Sequence, residues 1–260
     1  MLALVTRPRE QALHWVAQLQ MRGVSAKALP LIDIGDPAAV APVVAAWGNI
    51  ASCALVMFVS ANAVQRFFAR RPVAATWPAG LRAAATGPGT TAALRAAGLA
   101  PAQIVTPPDA GPFESEALWH VLSPEPWSGA QVLVVRGDEG RDWLAERWRE
   151  RGAKVSFLAS YRRLLPHWPA VEALLCDEAI AQPGSVAWLF SSSEAVHNLR
   201  QLRPLADFAQ ATAVATHERI AAAAHGVGFA QVQVVAPQID AVATLLKRLG
   251  RGPSVQSKAP

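Results

Sequence analysis

Two short segments of the chain join the end of an apolar strand to small hydroxyl side chains, a combination that can bind an anion. The first is FVSANAV at residues 58–64, and FSSSEAV at residues 190–196 nearly repeats it. In each segment a helical pattern begins just after a serine, Ser60 or Ser192. The first N–H groups of a helix have no partner within it and attract negative charge. The two turns therefore predict two anion-binding surfaces, although the same serines would also serve as helix caps.

Arginine supplies most of the positive charge, which also favours an anionic ligand. The net charge is +5, and only four of the 24 basic residues are lysine, which leaves 20 arginines. Arg7 and Arg136 end corresponding strands, and Arg141 lies in the loop that follows the second of them. A guanidinium pairs with a carboxylate or phosphate through two parallel hydrogen bonds, whereas surface salt bridges are the alternative role. Because the chain has no basic run, we expect a small polyanionic ligand and no nucleic acid.

These residues belong to an internal repeat of about 130 residues that covers nearly the whole chain. The opening LALVTRPREQALHWVAQLQMRGVSAKALPL corresponds to VLVVRGDEGRDWLAERWRERGAKVSFLASY, which begins at Val132, and Gly23 corresponds to Gly152. In each half, short apolar strands alternate with helical patterns. Strands joined by helical crossovers form parallel sheets, which bind ligands beyond the carboxyl ends of their strands. We therefore expect an α/β fold in which parallel sheets are flanked by helices.

Composition places the chain among folded globular proteins. Of its 260 residues, 52% are hydrophobic and 17% are charged, which supplies a sizeable core and argues against disorder. The first charge comes too early for a signal peptide, and no apolar run approaches the roughly 20 residues of a membrane span. We expect a cytoplasmic protein with no membrane partner. The two cysteines have no metal-ligand spacing around them, so we expect no metal site there.

Seven motifs occur in a fixed order along most of the chain. They are LVTRP, FVSANAV, AATGPGTTAALRAAGL, FESEAL, VLVVRGDEGRDWL, SYRR and LFSSSEAV. This ordered set resembles the uroporphyrinogen-III synthase family. The resemblance implies a cyclising lyase of tetrapyrrole biosynthesis, which converts hydroxymethylbilane to uroporphyrinogen III with loss of water and inversion of ring D. It implies a linear tetrapyrrole with eight carboxylates as the small-molecule partner and no cofactor, and we expect a monomer.

The resemblance also implies two similar flavodoxin-like domains that a two-strand linker joins, so that the halves of the repeat are not the domains. The linkers correspond to LIDIGDP and ASYRRLLPH, which are Pro-punctuated at matching places of the repeat. A hinge of two strands allows domains to close on a ligand. The expected division is residues 1–31 with 166–250 in the first domain, 39–157 in the second, 32–38 and 158–165 as linkers, and 251–260 as a disordered tail.

Tyr161 is the candidate catalytic residue. It is the only tyrosine of the chain, it lies in SYRR at the second linker, and it matches the tyrosine of the family's linker. A phenol can donate a hydrogen bond to a departing hydroxyl group without ionising. The alternative is a tyrosine that only packs its ring.

The candidate substrate-binding residues lie at the strand ends and turns. Thr86, Gly87 and Thr90 match the family's glycine–threonine turn, whereas Thr216 and Arg219 stand where Gly87 and Thr90 would be in the second half, so the second turn departs from the family pattern. The full set expected to bind substrate carboxylates is Arg7, Ser60, Asn62, Thr86, Gly87, Thr90, Arg136, Arg141, Ser192, Ser193, Thr216 and Arg219.

A different class of function also fits two α/β lobes on a hinge. Bilobal ligand-binding modules close on a small polyanionic ligand without chemistry, but such modules usually carry a secretion signal or a DNA-binding segment. A nucleotide-using transferase would need a glycine-rich phosphate loop after the first strand, and VTRPRE contains no glycine.

Overall fold

Strands and helices alternate along the chain. The computed structural model describes residues 1–108, 115–138 and 142–251, and the predicted site residue Arg141 lies outside them. The strands are β1 (Leu2–Val5), β2 (Ala26–Ala28), β3 (Asp33–Gly35), β4 (Leu55–Phe58), β5 (Arg82–Ala85), β6 (Ile104–Val105), β7 (Gln131–Gly137), β8 (Lys154–Leu164), β9 (Val186–Phe190), β10 (Thr212–Ala215) and β11 (Gln231–Val234). The helices are α1 (Arg9–Met21), α2 (Ala41–Asn49), α3 (Ala61–Ala69), α4 (Pro88–Ala96), α5 (Ser115–Leu122), α6 (Trp143–Glu150), α7 (Ala170–Ala181), α8 (Ser193–Leu202), α9 (Glu218–Gly226) and α10 (Ile239–Gly250).

One compact unit contains Met1–Asp33 together with the described chain from Leu164 onward. Its sheet has the order β11-β10-β9-β1-β2, and all the pairings are parallel. Alternate residues of β9 face opposite sides, as the two-residue period of a strand requires. Leu189 packs with the residues of α1 and α10, whereas Trp188 makes an edge-to-face contact with Phe229 on the other side.

The second compact unit spans Ile34–Arg163, and its sheet has the order β3-β8-β7-β4-β5-β6. The pairings among β8, β7, β4, β5 and β6 are parallel. One face is covered by α2, α3 and α4, which contribute residues such as Trp47 and Phe67 to a buried cluster. The other face is covered by α5 and α6, which contribute Leu118 and Trp148. Both faces are therefore buried, as the continuous apolar strands predict.

The structure confirms the predicted fold class, an α/β arrangement of parallel sheets flanked by helices. The repeated glycines behave alike, because Gly23 and Gly152 follow the ends of α1 and α6 with φ angles of 73° and 81°. Only glycine adopts this left-handed backbone at little cost, which explains why both halves end the helix with it. The predicted bounds of the domains and linkers stay a prediction. In the described part of the chain, no helix is both long and apolar enough to cross a membrane.

One strand is longer than its apolar pattern predicts. The sequence predicts a strand at 155–158, but β8 runs from Lys154 to Leu164 and includes Tyr161. The register of its pairing with β7 shifts between Arg136 and Gly137, and the pairing then continues with Gly137 opposite Tyr161. The backbone hydrogen bonds of the sheet thus extend the strand past the point where the apolar residues end.

Candidate active site

Two hydroxyl groups meet at the carboxyl edge of the sheet in the second unit. Ser60 follows β4 and caps α3, where its Oγ accepts a hydrogen bond from the backbone N–H of Ala63 at 3.1 Å. The hydroxyl oxygen of Tyr161 lies 3.1 Å from the same Oγ. Tyr161 is only 2% exposed and belongs to the buried cluster that contains Phe58 and Phe67. The predicted cap and the predicted acid are therefore one hydrogen-bonded pair.

A local irregularity of the sheet sets the position of Tyr161. The register of β7 and β8 shifts between Arg136 and Gly137, so that Tyr161 lies opposite Gly137. The buried hydroxyl of Ser160 donates to the carbonyl oxygens of Ala63 and Arg136, at 3.3 and 3.4 Å. Sequence reasoning missed both Gly137 and Ser160. A glycine inside an apolar strand pattern is the signal that points to a bulge of this kind.

Arg136 is not brought to Tyr161. Its guanidinium is paired with the carboxylate of Asp142, the residue before α6, and lies 4.1 Å from the ring centroid of Phe157. Phe157 packs with the cluster under α5 and α6, whereas Tyr161 belongs to the cluster under α2, α3 and α4. The two predicted site residues therefore lie on opposite faces of the same sheet. The side chain of Arg136 is 17% exposed.

The glycine–threonine turn forms the start of α4 in the same unit. Gly87 is the cap residue with extended backbone, and Pro88 occupies the first turn, where its missing N–H costs nothing. Thr86 is half-buried and lines a cavity of about 130 Å³ that Ser115 and Trp148 also line. Thr90 is 7% exposed, so its side chain lies inside the unit. Asn62 lies half-buried in the first turn of α3.

In the first unit, Ser192 has the capping role that Ser60 has in the second. Its Oγ accepts a hydrogen bond from the backbone N–H of Glu194 at 3.2 Å, at the start of α8. The hydroxyl of Ser193 donates to the carbonyl oxygen of Arg219 at 3.4 Å, which ties α8 to α9. The interpretation of both FxSxxAV serines as helix caps is confirmed.

The sequence alignment that matches Thr216 to Gly87 and Arg219 to Thr90 is wrong by one residue. His217 caps α9, and its Nδ1 accepts from the N–H of Arg219 at 3.0 Å. Gly87 and His217 are both the second residue after a strand end and both begin a helix, so Thr216 corresponds to Thr86. The cap position depends on backbone geometry, which a histidine can satisfy as well as a glycine. Arg219 is exposed on the first turn of α9.

Arg7 lies just after β1, with its guanidinium 4.3 Å from the ring centroid of Trp15. Its buried Nε has no hydrogen-bond acceptor among the described residues. Burial lowers the pKa of Arg7 to about 10, because a charged group is less stable away from water. The side chain is therefore still charged at neutral pH and holds an unsatisfied donor at the carboxyl edge of its sheet.

Among residues 1–108, 115–138 and 142–251, no three His, Cys, Asp or Glu side chains form a group that could hold a metal ion. The described carboxyl edges carry hydroxyls, helix N-termini and arginines, together with the amide of Asn62 and the imidazole of His217. This arrangement can bind carboxylates and offer a weak proton donor.

A family model described as uroporphyrinogen-III synthase HemD (HEM4) matches residues 14–244. Among curated proteins, the uroporphyrinogen-III synthase of Salmonella typhimurium is 29% identical over 170 residues, which cover 65% of this chain and 68% of that protein. The uroporphyrinogen-III synthase of Synechococcus elongatus is 29% identical over 204 residues, which cover 76% of this chain and 73% of that protein.

Two solved structures have the same fold. A mutant uroporphyrinogen III synthase from the extremely thermophilic bacterium Thermus thermophilus matches with a TM-score of 0.57 and 18% identity, over 96% of this chain and 99% of its own. Uroporphyrinogen-III synthetase from Helicobacter pylori matches with a TM-score of 0.59 and 16% identity, over 86% of this chain and 93% of its own. At these identities the likeness concerns the fold alone.

Proposed function

The chain belongs to the uroporphyrinogen-III synthase family, and on this premise we propose that it cyclises hydroxymethylbilane to uroporphyrinogen III. The proposed site of this reaction rests on the hydroxyl pair of Ser60 and Tyr161, whose oxygens are 3.1 Å apart. The pair lies at the carboxyl edge of a parallel sheet, where α/β folds bind ligands. The reaction removes water and inverts ring D, and the product belongs to tetrapyrrole biosynthesis.

The reaction needs little chemical assistance from side chains. The hydroxymethyl group leaves as water, which gives an electrophilic azafulvene. Ring D then attacks at its substituted carbon, and the resulting spiro intermediate fragments and recloses at the other position. The proton that this carbon loses returns to the pyrrole nitrogen deprotonated in the azafulvene, so that water is the only group lost overall. Because the substrate supplies the electron-rich ring and the leaving group, the main contribution of the protein is to hold the folded chain so that the wrong carbon cannot attack.

In this proposal, Tyr161 donates a hydrogen bond to the departing hydroxyl group. A serine hydroxyl has one hydrogen and two lone pairs. One lone pair of Ser60 accepts from the N–H of Ala63. If the hydrogen of Ser60 points to the tyrosine oxygen, the phenolic hydrogen of Tyr161 is left for the substrate. Ser60 therefore orients the phenol as well as capping α3.

In each unit, the groups at the carboxyl edge of the sheet suit the binding of a substrate carboxylate. Helix N-termini attract anions through their N–H groups, and α3, α4, α8 and α9 all begin at such an edge. Arg7 carries a buried Nε donor for which the described residues supply no acceptor, so a carboxylate oxygen would satisfy it. Arg136 is paired with Asp142, so binding through Arg136 requires exchange of that partner.

The proposal keeps the division of the chain into a discontinuous domain of residues 1–31 and 166–250 and a second domain of residues 39–157. The two compact units support it, because one of them is Ile34–Arg163 and the other combines both ends of the described chain.

The test is to supply hydroxymethylbilane to the purified protein and to separate the uroporphyrinogen isomers. Hydroxymethylbilane closes without an enzyme to isomer I, so heat-inactivated protein gives the background. We expect isomer III to form far above that background. Isomer I alone, formed at the uncatalysed rate by correctly folded protein, would contradict the proposal.

A further inference from the structure

Gly137 lies against the ring of the candidate acid. A Cβ atom built at Gly137 would lie 3.1 Å from Cζ, 3.2 Å from Cε2 and 3.4 Å from the hydroxyl oxygen of Tyr161. The two carbon–carbon distances are shorter than ordinary contacts of about 3.5–4.0 Å. Gly137 does not have a positive φ, because every glycine of positive φ in the described chain lies elsewhere. The space that its missing side chain leaves, and not its backbone conformation, explains the glycine.

The irregular register of β7 and β8 also places Tyr161 beside Gly137. Pairing is regular up to Arg136 and Ala159, after which Gly137 pairs with Tyr161 and one residue of β8 is skipped. Such an extra residue turns the following side chain relative to the sheet. The turned ring of Tyr161 then needs the room beside Gly137 to bring its hydroxyl oxygen to 3.1 Å from Ser60 Oγ.

We propose that Gly137 is a positioning residue for the reaction: the absence of a side chain there lets the ring of Tyr161 lie against β7 with its hydroxyl group beside Ser60. Any side chain at this position displaces the ring by a few tenths of an ångström or more. The catalytic consequence rests on the proposed role of Tyr161, whereas the contact between Gly137 and the ring does not.

The first test compares Gly137→Ala with Gly48→Ala. Gly48 lies in the same unit, on α2, and a Cβ atom there meets nothing within 4 Å. We expect Gly137→Ala to lower kcat about three- to tenfold with little change in KM, since small misplacements of a reacting group are costly. Gly48→Ala keeps the kcat of the unmodified protein. An unchanged kcat in folded Gly137→Ala overturns the proposal.

A double-variant cycle separates positioning from general damage. If Gly137 acts through the hydroxyl of Tyr161, Gly137→Ala lowers kcat in the unmodified protein but has no further effect in Tyr161→Phe. An equal loss in both backgrounds overturns the proposal. An unchanged kcat in Tyr161→Phe overturns the role of Tyr161 in the reaction, and with it the catalytic role of Gly137.

A spectroscopic measurement tests the contact without activity. The chain has a single tyrosine, so protein grown with ring-labelled tyrosine gives the NMR signals of Tyr161 alone. We expect Gly137→Ala to shift these signals and Gly48→Ala to leave them in place. Unshifted signals in Gly137→Ala overturn the contact. If Gly137→Ala does not fold, the shorter side chain of Tyr161→Leu should rescue it, and the absence of rescue counts against the proposal.

Discussion

The hydroxyl oxygens of Ser60 and Tyr161 lie 3.1 Å apart although the two residues are separated by 101 positions. The serine begins a helix and the tyrosine lies in β8, beyond its apolar part, so the contact joins two elements at the carboxyl edge of one sheet. The Oγ of Ser60 also accepts a hydrogen bond from the N–H of Ala63. The start of α3 and the position of the phenol therefore depend on this one oxygen atom.

Tyr161→Phe tests the proposed acid, since it keeps the ring and removes only the hydroxyl. Loss of a well-placed proton donor typically lowers a rate by about 10²–10⁴-fold. Because the substrate supplies much of its own driving force, we expect a kcat loss of about tenfold to several hundredfold. Isomer III should persist, since the shape of the site decides which carbon attacks. The measurements are kcat, the isomer ratio and the melting temperature.

The outcomes for Tyr161→Phe have different meanings. A normal kcat in a normally folded variant would make Tyr161 a packing residue, whose lost hydroxyl costs about 1 kcal/mol of stability and little rate. A change of product from isomer III to isomer I would show that Tyr161 positions ring D.

Ser60→Ala and Ser192→Ala form a matched pair, because both serines cap a helix and only Ser60 contacts a tyrosine hydroxyl in the described chain. Loss of either cap should lower the free energy of unfolding by about 1 kcal/mol. We expect only Ser60→Ala to lower kcat, about three- to tenfold, because the phenol loses its orienting partner. Equal kcat values for the two folded variants would remove Ser60 from the mechanism.

Arg136→Ala tests the binding of substrate carboxylates. If Arg136 contributes equally to the substrate and transition-state complexes, the apparent KM should rise about three- to tenfold and kcat should change less. The KM of the unmodified protein should also rise with salt, which screens charge pairs. Arg82→Ala is the control, since Arg82 pairs with Glu125 at the start of β5, the opposite edge of the sheet. A KM insensitive to both salt and Arg136→Ala would exclude the carboxylate-binding role.

Arg7→Met should separate stability from binding. The variant removes a buried donor without an acceptor among the described residues, so the free energy of unfolding should rise by about 1 kcal/mol. KM should also rise if Arg7 binds a carboxylate. Arg22→Met is the control, since Arg22 makes an ion pair with Asp240 on the same unit. A stable variant with an unchanged KM would show that Arg7 does not contact the substrate.

The stability gain of Arg7→Met should depend on pH. Burial lowers the pKa of Arg7 to about 10, so above that value the folded state binds fewer protons than the unfolded state. The stability contributed by this group therefore increases as the pH rises through about 10. The difference in unfolding free energy between Arg7→Met and the unmodified protein should shrink there. A difference that stays constant to higher pH would contradict the burial of the charge.

The local parts of the site follow from sequence, and the long-range contacts do not. Ser60 and Ser192 are recognisable as caps because a hydroxyl between an apolar strand and a helical pattern has a local meaning. The cap of α9 follows from the same reasoning, since His217 also stands between an apolar strand and a helical pattern, and its Nδ1 performs the same function. The ion pair of Arg136 is instead a tertiary contact, because its partner Asp142 becomes visible only when α6 is placed beside β7.

The sequence by itself determined the alternation of strands and helices, the repeat, the helix caps and the family, because hydrophobic periodicity and backbone capping act between near neighbours. The tertiary structure decided which side chains meet. One skipped residue between β7 and β8 turns Tyr161 toward Ser60, on the face opposite the aromatic partner of Arg136. In a strand, a one-residue shift moves a side chain from one face to the other. Gly137 signals an irregularity in β7, but which residue of β8 lies opposite it is decided only when the two strands pair.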